Sequence, residues 1–130
     1  MNIHESAEDY LEAILILGKQ LGTVRSIDIV NKMNYSKPSI SIAMKKLREN
    51  GYIDMDGNGY ITLKDSGREI AEKIYSRHRL LQEILEKIGV DPAKAEEEAC
   101  KIEHDIDEET YQKILECFER HTELYARKEN

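Results

Sequence analysis

Three potential metal ligands stand close together in the second half of the chain. Cys100, Glu103 and His104 occupy positions i, i+3 and i+4 of a predicted helix over Ala93–Ile106. In a helix this spacing places the three side chains on adjacent turns of one face. A thiolate, a carboxylate and an imidazole are all ligands of first-row divalent metals. The stretch therefore has the chemistry of half a transition-metal site.

Three more residues with ligand chemistry lie on other predicted helices. Asp9 and Glu12 are three residues apart near the N-terminus, and His78 occupies a position in an otherwise apolar helical stripe. Each has an ordinary explanation when taken singly: a solvated acidic pair, a hydrogen-bonded core histidine and, for Cys100, a small buried side chain. A joint site requires three helices to converge, which spacing alone does not establish.

The elements that must position these residues begin with three predicted helices. The first covers Ser6–Leu21, the second starts at Ser26 as its N-cap with Ile27 facing inward, and the third is capped by Ser36. Two short β-prone runs then surround the turn Asp56–Gly59, which is typical of a hairpin. Two adjacent short helices and a hairpin predict a winged helix-turn-helix. A plain α+β domain whose short helices happen to abut is the competing interpretation.

The remainder of the chain is predicted to be entirely helical. A long helix runs from about Lys64 to Ile88, the helix of the Cys-Glu-His cluster follows, and a last helix begins at Asp107. The predicted fold is therefore mainly α. It consists of an N-terminal winged helix-turn-helix at residues 1–64 and an all-helical domain at residues 65–130.

The outward side of the third predicted helix carries small and basic residues, the types that major-groove helices use for phosphate and base-edge contacts. Ile42 lies among them and either touches a thymine methyl group or is a plain surface isoleucine. Residues 25–64 hold seven basic and four acidic side chains. Salt screens charges that are more than about 10 Å apart, so DNA interacts with the charge of the nearby surface more than with the net charge of the whole protein. The candidate DNA-binding residues are Arg25, Ser36, Lys37, Pro38, Ser39, Ser41, Ile42, Lys45 and Lys46.

Composition excludes several classes of protein. The 130 residues are enough for one average domain, and the net charge is −7 with 35% charged residues. No apolar run approaches the roughly 18 residues of a membrane helix, and the acidic N-terminus is unlike a signal peptide. Cys100 and Cys117 are too few for a disulfide framework. We therefore expect a cytoplasmic protein with no membrane partner.

Four motifs occur in a specific order along nearly the whole chain. They are Glu8–Glu12, the predicted helix-turn-helix with Ser36–Ser41, Arg77–Leu81 and Glu98–His104. Together they resemble the metal-dependent repressors of the diphtheria toxin repressor and manganese transport regulator family, in its short two-domain form. The resemblance implies an N-terminal DNA-binding domain and helices that form a homodimer. It also implies that bound Mn(II) or Fe(II) sets the spacing of the two DNA-binding domains for a palindromic operator.

By position, the resemblance implies the metal ligands Asp9, Glu12, His78, Cys100, Glu103 and His104. The first two match the acidic pair of the manganese branch, whereas Cys100 matches the iron branch, where the best-known manganese regulators carry glutamate. The ligand set is thus a hybrid of the two branches. We expect one metal ion per subunit, because the cysteine removes a carboxylate that can bridge two ions.

The predicted function is a Mn(II)- or Fe(II)-dependent repressor of metal homeostasis genes that binds double-stranded DNA as a homodimer. We expect no enzymatic activity and no small-molecule substrate. One alternative is a winged-helix regulator with a metal-independent trigger, in which the Cys-Glu-His cluster is structural. Another is a small metalloenzyme in which Glu103 activates water. The sequence contains no HExxH motif, phosphate-binding loop or nucleophile–base pair, which argues against the enzyme.

Overall fold

The computed structural model describes the backbone of residues 5–129 and the side chains of residues 5–121. Within this part of the chain there are six helices and two strands: α1 (Glu5–Leu21), α2 (Ser26–Met33), α3 (Lys37–Glu49), β1 (Ile53–Met55), β2 (Ile61–Leu63), α4 (Asp65–Lys87), α5 (Pro92–Ile102) and α6 (Glu108–Glu129). The predicted mainly α fold is confirmed. None of these helices is both long enough and apolar enough to span a bilayer.

The chain divides into two compact units, Met1–Tyr75 and Ser76–Asn130. The first unit contains α1, α2, α3 and the hairpin, followed by the first half of α4. Each of these helices and both strands contribute fully or almost fully buried side chains to one apolar core. The largest of these side chains belong to Leu11, Ile29, Ile40, Met44 and Ile53. The predicted winged helix-turn-helix is confirmed in this unit.

The second helix departs from its prediction in two respects. It begins at Ser26, so the N-cap residue is Arg25, whose N–H donates to Oδ2 of Asp28 at 2.9 Å. Ile29 is fully buried, whereas Ile27 is 44% exposed. The side chains at positions i and i+2 of a helix point about 200° apart. Only one of the two isoleucines can therefore face the core. In a helix of eight residues, the periodicity was too short to decide which one.

The wing is a short antiparallel hairpin with Ile53 opposite Leu63 and Met55 opposite Ile61. Its turn forms as predicted, because Oδ1 of Asp56 accepts hydrogen bonds from the N–H groups of both Asn58 and Tyr60 at 2.9 Å. Beyond the turn, the Ile61 N–H donates to the carbonyl of Val24 at 2.8 Å. This bond fixes the wing to the loop between α1 and α2.

The second unit is formed by the second half of α4, by α5 and by α6. Asp91 caps α5 by accepting the Ala93 N–H at 3.2 Å. Asp107 accepts the Thr110 N–H at 2.7 Å at the start of α6, and this hydrogen bond lowers the pKa of Asp107. The helix predicted to reach Ile106 ends at Ile102, and residues 103–107 form a turn.

Gly67 in the first turn of α4 is a close-packing position whose loss we expect to destabilise the first unit. A β-carbon there would overlap the carbonyl oxygen of Tyr52 and lie 3.1 Å from its carbonyl carbon. We expect Gly67→Ala to reduce the free energy of unfolding by about 1–3 kcal/mol in urea denaturation. Gly57→Ala is the control, since an added β-carbon meets nothing within 4 Å there. Equal losses in the two variants would contradict the packing argument.

Candidate metal centre and nucleic-acid interface

Glu103 is the centre of a cluster of ligating side chains in the second unit. Its side chain is 0% exposed, with Oε2 2.8 Å from Nδ1 of His78 and Oε1 3.4 Å from Nε2 of His104. Ligand atoms of Cys100, Glu103 and His104 all lie within 4.8 Å of one another. The structure thus brings together four of the six side chains that the sequence singled out as metal ligands.

The end of α5 and the turn after it position three of these side chains. Cys100 lies in the last turn of α5, and Glu103 is the C-cap residue with φ −58 and ψ −26. The Glu103 N–H still donates to the carbonyl of Ala99 at 3.0 Å. Cys100 and Glu103 therefore keep their helical one-turn relation even though the helix was predicted to extend further. His104 belongs to the turn instead of the helix, which corrects the prediction for that residue.

The donor set of this cluster fits a divalent transition metal. The Cys100 thiol, the Glu103 carboxylate and the His104 imidazole lie within reach of one another, and the His78 imidazole lies against the other oxygen of Glu103. This mixture of donors suits Mn(II), Fe(II), Co(II) and Zn(II), with the thiolate favouring the softer ions. A buried carboxylate also costs free energy unless positive charge or hydrogen-bond donors compensate it. A divalent cation at Glu103 would supply that compensation.

Asp9 and Glu12 lie on α1 in the first unit, three residues apart on one side of the helix. Glu12 is buried and Asp9 is half-buried. Between them, Tyr10 contacts Tyr35 edge to face, and burial raises the pKa of Tyr10, with smaller contributions from Tyr35 and Asp9. The participation of Asp9 and Glu12 in metal binding remains a prediction.

All nine candidate DNA-binding residues are exposed. Seven of them lie on α3, whose opposite face buries Ile40, Met44 and Leu47 in the core. Ile42 is 58% exposed and is therefore available to a partner on this outward face. The exposed face consists of Lys37, Pro38, Ser39, Ser41, Ile42, Lys45 and Lys46, flanked by the N-cap Ser36.

Three of the DNA-binding candidates, Ser36, Ser39 and Arg25, have contacts inside the protein. The Ser36 hydroxyl accepts the Ser39 N–H at 3.3 Å and donates to the Ser39 hydroxyl at 2.8 Å, so Ser36 caps α3. The Arg25 guanidinium carbon lies 4.4 Å from the centre of the Tyr60 ring. No sequence pattern connects Tyr60 with Arg25, because folding of the wing is what brings the two side chains together.

Arg77, like Tyr60, was not assigned to a site from the sequence. It is buried in the second unit, and it is hydrogen-bonded to the turn that carries Glu103 and His104. A sequence signal for it did exist. Arg77 stands three residues after Ile74 and four before Leu81, within an apolar helical stripe where a charged residue must be paired.

Comparison with known proteins agrees with both units. Residues 2–61 match the N-terminal DNA binding domain of the iron dependent repressors. Residues 64–123 match the metal binding and dimerisation domain of the same family. An uncharacterised HTH-type transcriptional regulator of Methanocaldococcus jannaschii is 32% identical over 112 residues, which cover 85% of this chain and 90% of that protein. The chain belongs to the iron-dependent repressor family.

Two solved structures support the assignment. T. acidophilum IdeR has a TM-score of 0.77 at 28% identity, over 91% of this chain and 55% of that one. A manganese-dependent transcriptional repressor in complex with manganese has a TM-score of 0.73 at 30% identity, over 83% and 50% of the two chains. This chain thus spans about half the length of these two structures. Membership of the family confirms the expected repressor fold and a divalent-metal-binding domain.

The capping role of Ser36 can be separated from DNA binding by measuring stability without DNA. We expect Ser36→Ala to lower the free energy of unfolding by about 1 kcal/mol, because α3 loses its N-cap. Ser41→Ala is the matched control, since Ser41 is exposed within the same helix and alanine is a good helix former. Urea denaturation of both variants measures the difference. A Ser41→Ala loss as large as that of Ser36→Ala would contradict it.

Proposed function

We propose that this protein is a metal-activated transcriptional repressor that binds a palindromic operator as a homodimer. In this proposal, residues 1–64 form the DNA-binding domain and residues 65–130 the metal-binding and dimerisation domain. The metal is Mn(II) or Fe(II), and the regulated genes serve metal homeostasis. Membership of the iron-dependent repressor family supports the class of function.

The observation that carries the metal part of the proposal is the cluster around Glu103. Its carboxylate is fully buried, and one oxygen faces His78 at 2.8 Å while the other faces His104 at 3.4 Å. The Cys100 ligand atom lies within 4.8 Å of those of Glu103 and His104. Apolar side chains of similar volume are often as stable as a buried ionic group or more so, and the burial of this carboxylate therefore favours a role in binding over a role in stability.

We assign the remaining two ligands to Asp9 and Glu12 on α1. Their residue types and spacing match the acidic pair that the resemblance implies, and both are at least half-buried. Without metal, these carboxylates and Glu103 are like charges that repel one another. When bound, a divalent cation supplies two positive charges that neutralise the carboxylates. The six residues Asp9, Glu12, His78, Cys100, Glu103 and His104 then hold the DNA-binding domain in one position relative to the dimer.

Fixing this position changes the affinity for DNA by a limited amount. A metal shifts only an equilibrium whose two states bind it differently, and typical coupling is about 1–3 kcal/mol. This range corresponds to about 5–150-fold in operator affinity. Reduced long-range repulsion between the acidic protein and phosphate adds less, because salt screens charges beyond about 10 Å.

We assign DNA contact to the exposed face of α3 together with Arg25. Lys37, Lys45 and Lys46 are suited to phosphate, and Ser39, Ser41 and Ile42 to base edges or the thymine methyl group. Ser36 and Pro38 shape the start of this helix, with Pro38 in its first turn. The contact of Arg25 with the Tyr60 ring holds its guanidinium beside the wing.

Metal dependence of DNA binding is the decisive test of this proposal. The measurement is fluorescence anisotropy of a labelled palindrome taken from upstream of neighbouring transporter genes, under anaerobic conditions at fixed salt. It is made first without metal and then with Mn(II), Fe(II), Co(II) or Zn(II). We expect at least about fivefold tighter binding with an activating metal, and loss of this gain in Asp9→Ala and Cys100→Ala.

Cys117→Ala is the matched control, because Cys117 is the second cysteine of the chain and lies exposed on α6, outside the Cys100–His104 segment. It should retain the metal response. Tight binding that ignores metal in the wild-type protein would favour the alternative regulator with a metal-independent trigger. Loss of response in Cys117→Ala as well would show that the effect of Cys100→Ala is not specific to the proposed ligand.

Salt dependence tests the assignment of α3 to DNA. The logarithm of DNA affinity falls linearly with the logarithm of salt concentration. Each lysine that neutralises a phosphate steepens this line by about 0.9. We expect Lys45→Ala and Lys46→Ala each to reduce this slope by about 1 when measured by anisotropy across a salt series. Lys113→Ala on α6 is the control and should leave the slope unchanged. An unchanged slope in both α3 variants would remove these lysines from the phosphate contacts.

A further inference from the structure

Arg77 contacts the turn that connects α5 to α6 at both of its ends. Its Nη1 donates to the carbonyl of Glu103 at 3.3 Å and to the carbonyl of Ile106 at 3.0 Å. Its Nη2 donates to Oε2 of Glu108, the first residue of α6, at 2.7 Å. One guanidinium group therefore links the beginning of the turn, its last part and the start of the next helix.

The surroundings of Arg77 keep this group in one orientation. Arg77 is 6% exposed, and its guanidinium carbon lies 5.2 Å from the centre of the buried Tyr111 ring. Burial raises the pKa of Tyr111, while the charge of Arg77 acts in the opposite direction. The planar guanidinium offers donors in a fixed fork and remains charged at any physiological pH. Both features suit a group that must hold several acceptors at once.

Arg77 and the next residue on α4 hold different parts of Glu103. Arg77 donates to the main-chain carbonyl of Glu103, and Nδ1 of His78 lies 2.8 Å from its side-chain carboxylate. The backbone of Glu103 is thus tied to α4 independently of the ligating carboxylate. Because His104 follows directly in the same turn, the position of its main chain is set by the same hydrogen bonds.

We propose that Arg77 is a positioning residue of the metal site, whose hydrogen bonds to the turn between α5 and α6 hold Glu103 and His104 in the arrangement that binds metal. The inference rests on the proposed function, since it assigns Arg77 a role toward the same metal. Arg77 itself has no ligand atom for a cation. Its action is on the main chain of the ligands, in the manner of the outer hydrogen-bonding groups that orient metal ligands in proteins.

A titration of the metal-free, full-length protein with Co(II) tests this role. Co(II) absorption reports both the affinity and the ligand set, because thiolate coordination adds a charge-transfer band. We expect Arg77→Met to weaken Co(II) binding by about 10–100-fold and to alter the absorption spectrum. Arg77→Lys keeps the positive charge but lacks the planar set of donors of the guanidinium group. We therefore expect its Co(II) affinity to lie between those of Arg77→Met and the wild-type protein.

Two controls separate positioning from general stability. Leu80→Ala removes a buried side chain from the same helix and should lower the melting temperature without changing the Co(II) spectrum. Arg120→Met removes an exposed arginine of α6 and should leave both melting and Co(II) binding unchanged. Circular dichroism verifies that each variant is folded at the titration temperature. If Arg77→Met does not fold, Arg77→Lys compared with Leu80→Ala decides the question.

The possible outcomes distinguish a failure of the role of Arg77 from a failure of the proposed metal-dependent function. Weak Co(II) binding and a changed spectrum in the Arg77 variants, but not in Leu80→Ala, support the positioning role. Wild-type affinity in folded Arg77 variants overturns it and leaves the proposed function standing. Equal weakening in Leu80→Ala also overturns it, because the loss then follows stability alone. Absence of Co(II) binding by the wild-type protein overturns the metal-dependent function and the role of Arg77 together.

Discussion

The burial of the Glu103 carboxylate is the constraint that organises the second unit. A carboxylate removed from water loses several kcal/mol of hydration free energy, so the protein around it must supply polar groups. His78 from α4 and His104 from the turn face its two oxygens, while Arg77 binds its main-chain carbonyl. These three groups require α4 to run beside the end of α5, which in turn fixes where the turn to α6 can lie. The contacts of this one buried carboxyl group thus link α4, the end of α5 and the turn to α6.

Local signals in the sequence were sufficient for most of the fold. The cap at Ser36, the Asp56–Gly59 turn and the helical spacing of apolar residues all act within a few residues, and the corresponding elements formed as predicted. The errors in α2 came from a helix too short to show a clear period, whereas the error at the end of α5 lies where distant residues decide. The end of α5 at Ile102 is accompanied by hydrogen bonds from Arg77, 25 or more residues away along the chain. No pattern within Ala93–Ile106 contains that information.

The candidate site divides in the same way between what the sequence indicates and what only folding reveals. Residue types and helical spacing were enough to group Cys100, Glu103 and His104 as candidate ligands, because residues close in sequence are also close in space. The approach of His78 depends on the packing of α4, and the spacing of its stripe indicated only that the residue faces inward. Tyr60 was missed for a similar reason, since its contact with Arg25 depends on how the wing folds back.

The charge distribution explains why geometry must control DNA affinity in the proposed repressor. The whole chain has a net charge of −7, and the basic side chains that we assign to DNA are three lysines on one face of α3 together with Arg25. A single copy of such a face neutralises few phosphates, so its affinity for DNA is limited. Two copies in a dimer gain much more, but only when their spacing permits both to bind at once. A protein whose affinity depends on simultaneous binding is sensitive to any ligand that fixes that spacing, and the cluster of candidate metal ligands around the buried Glu103 is suited to this control.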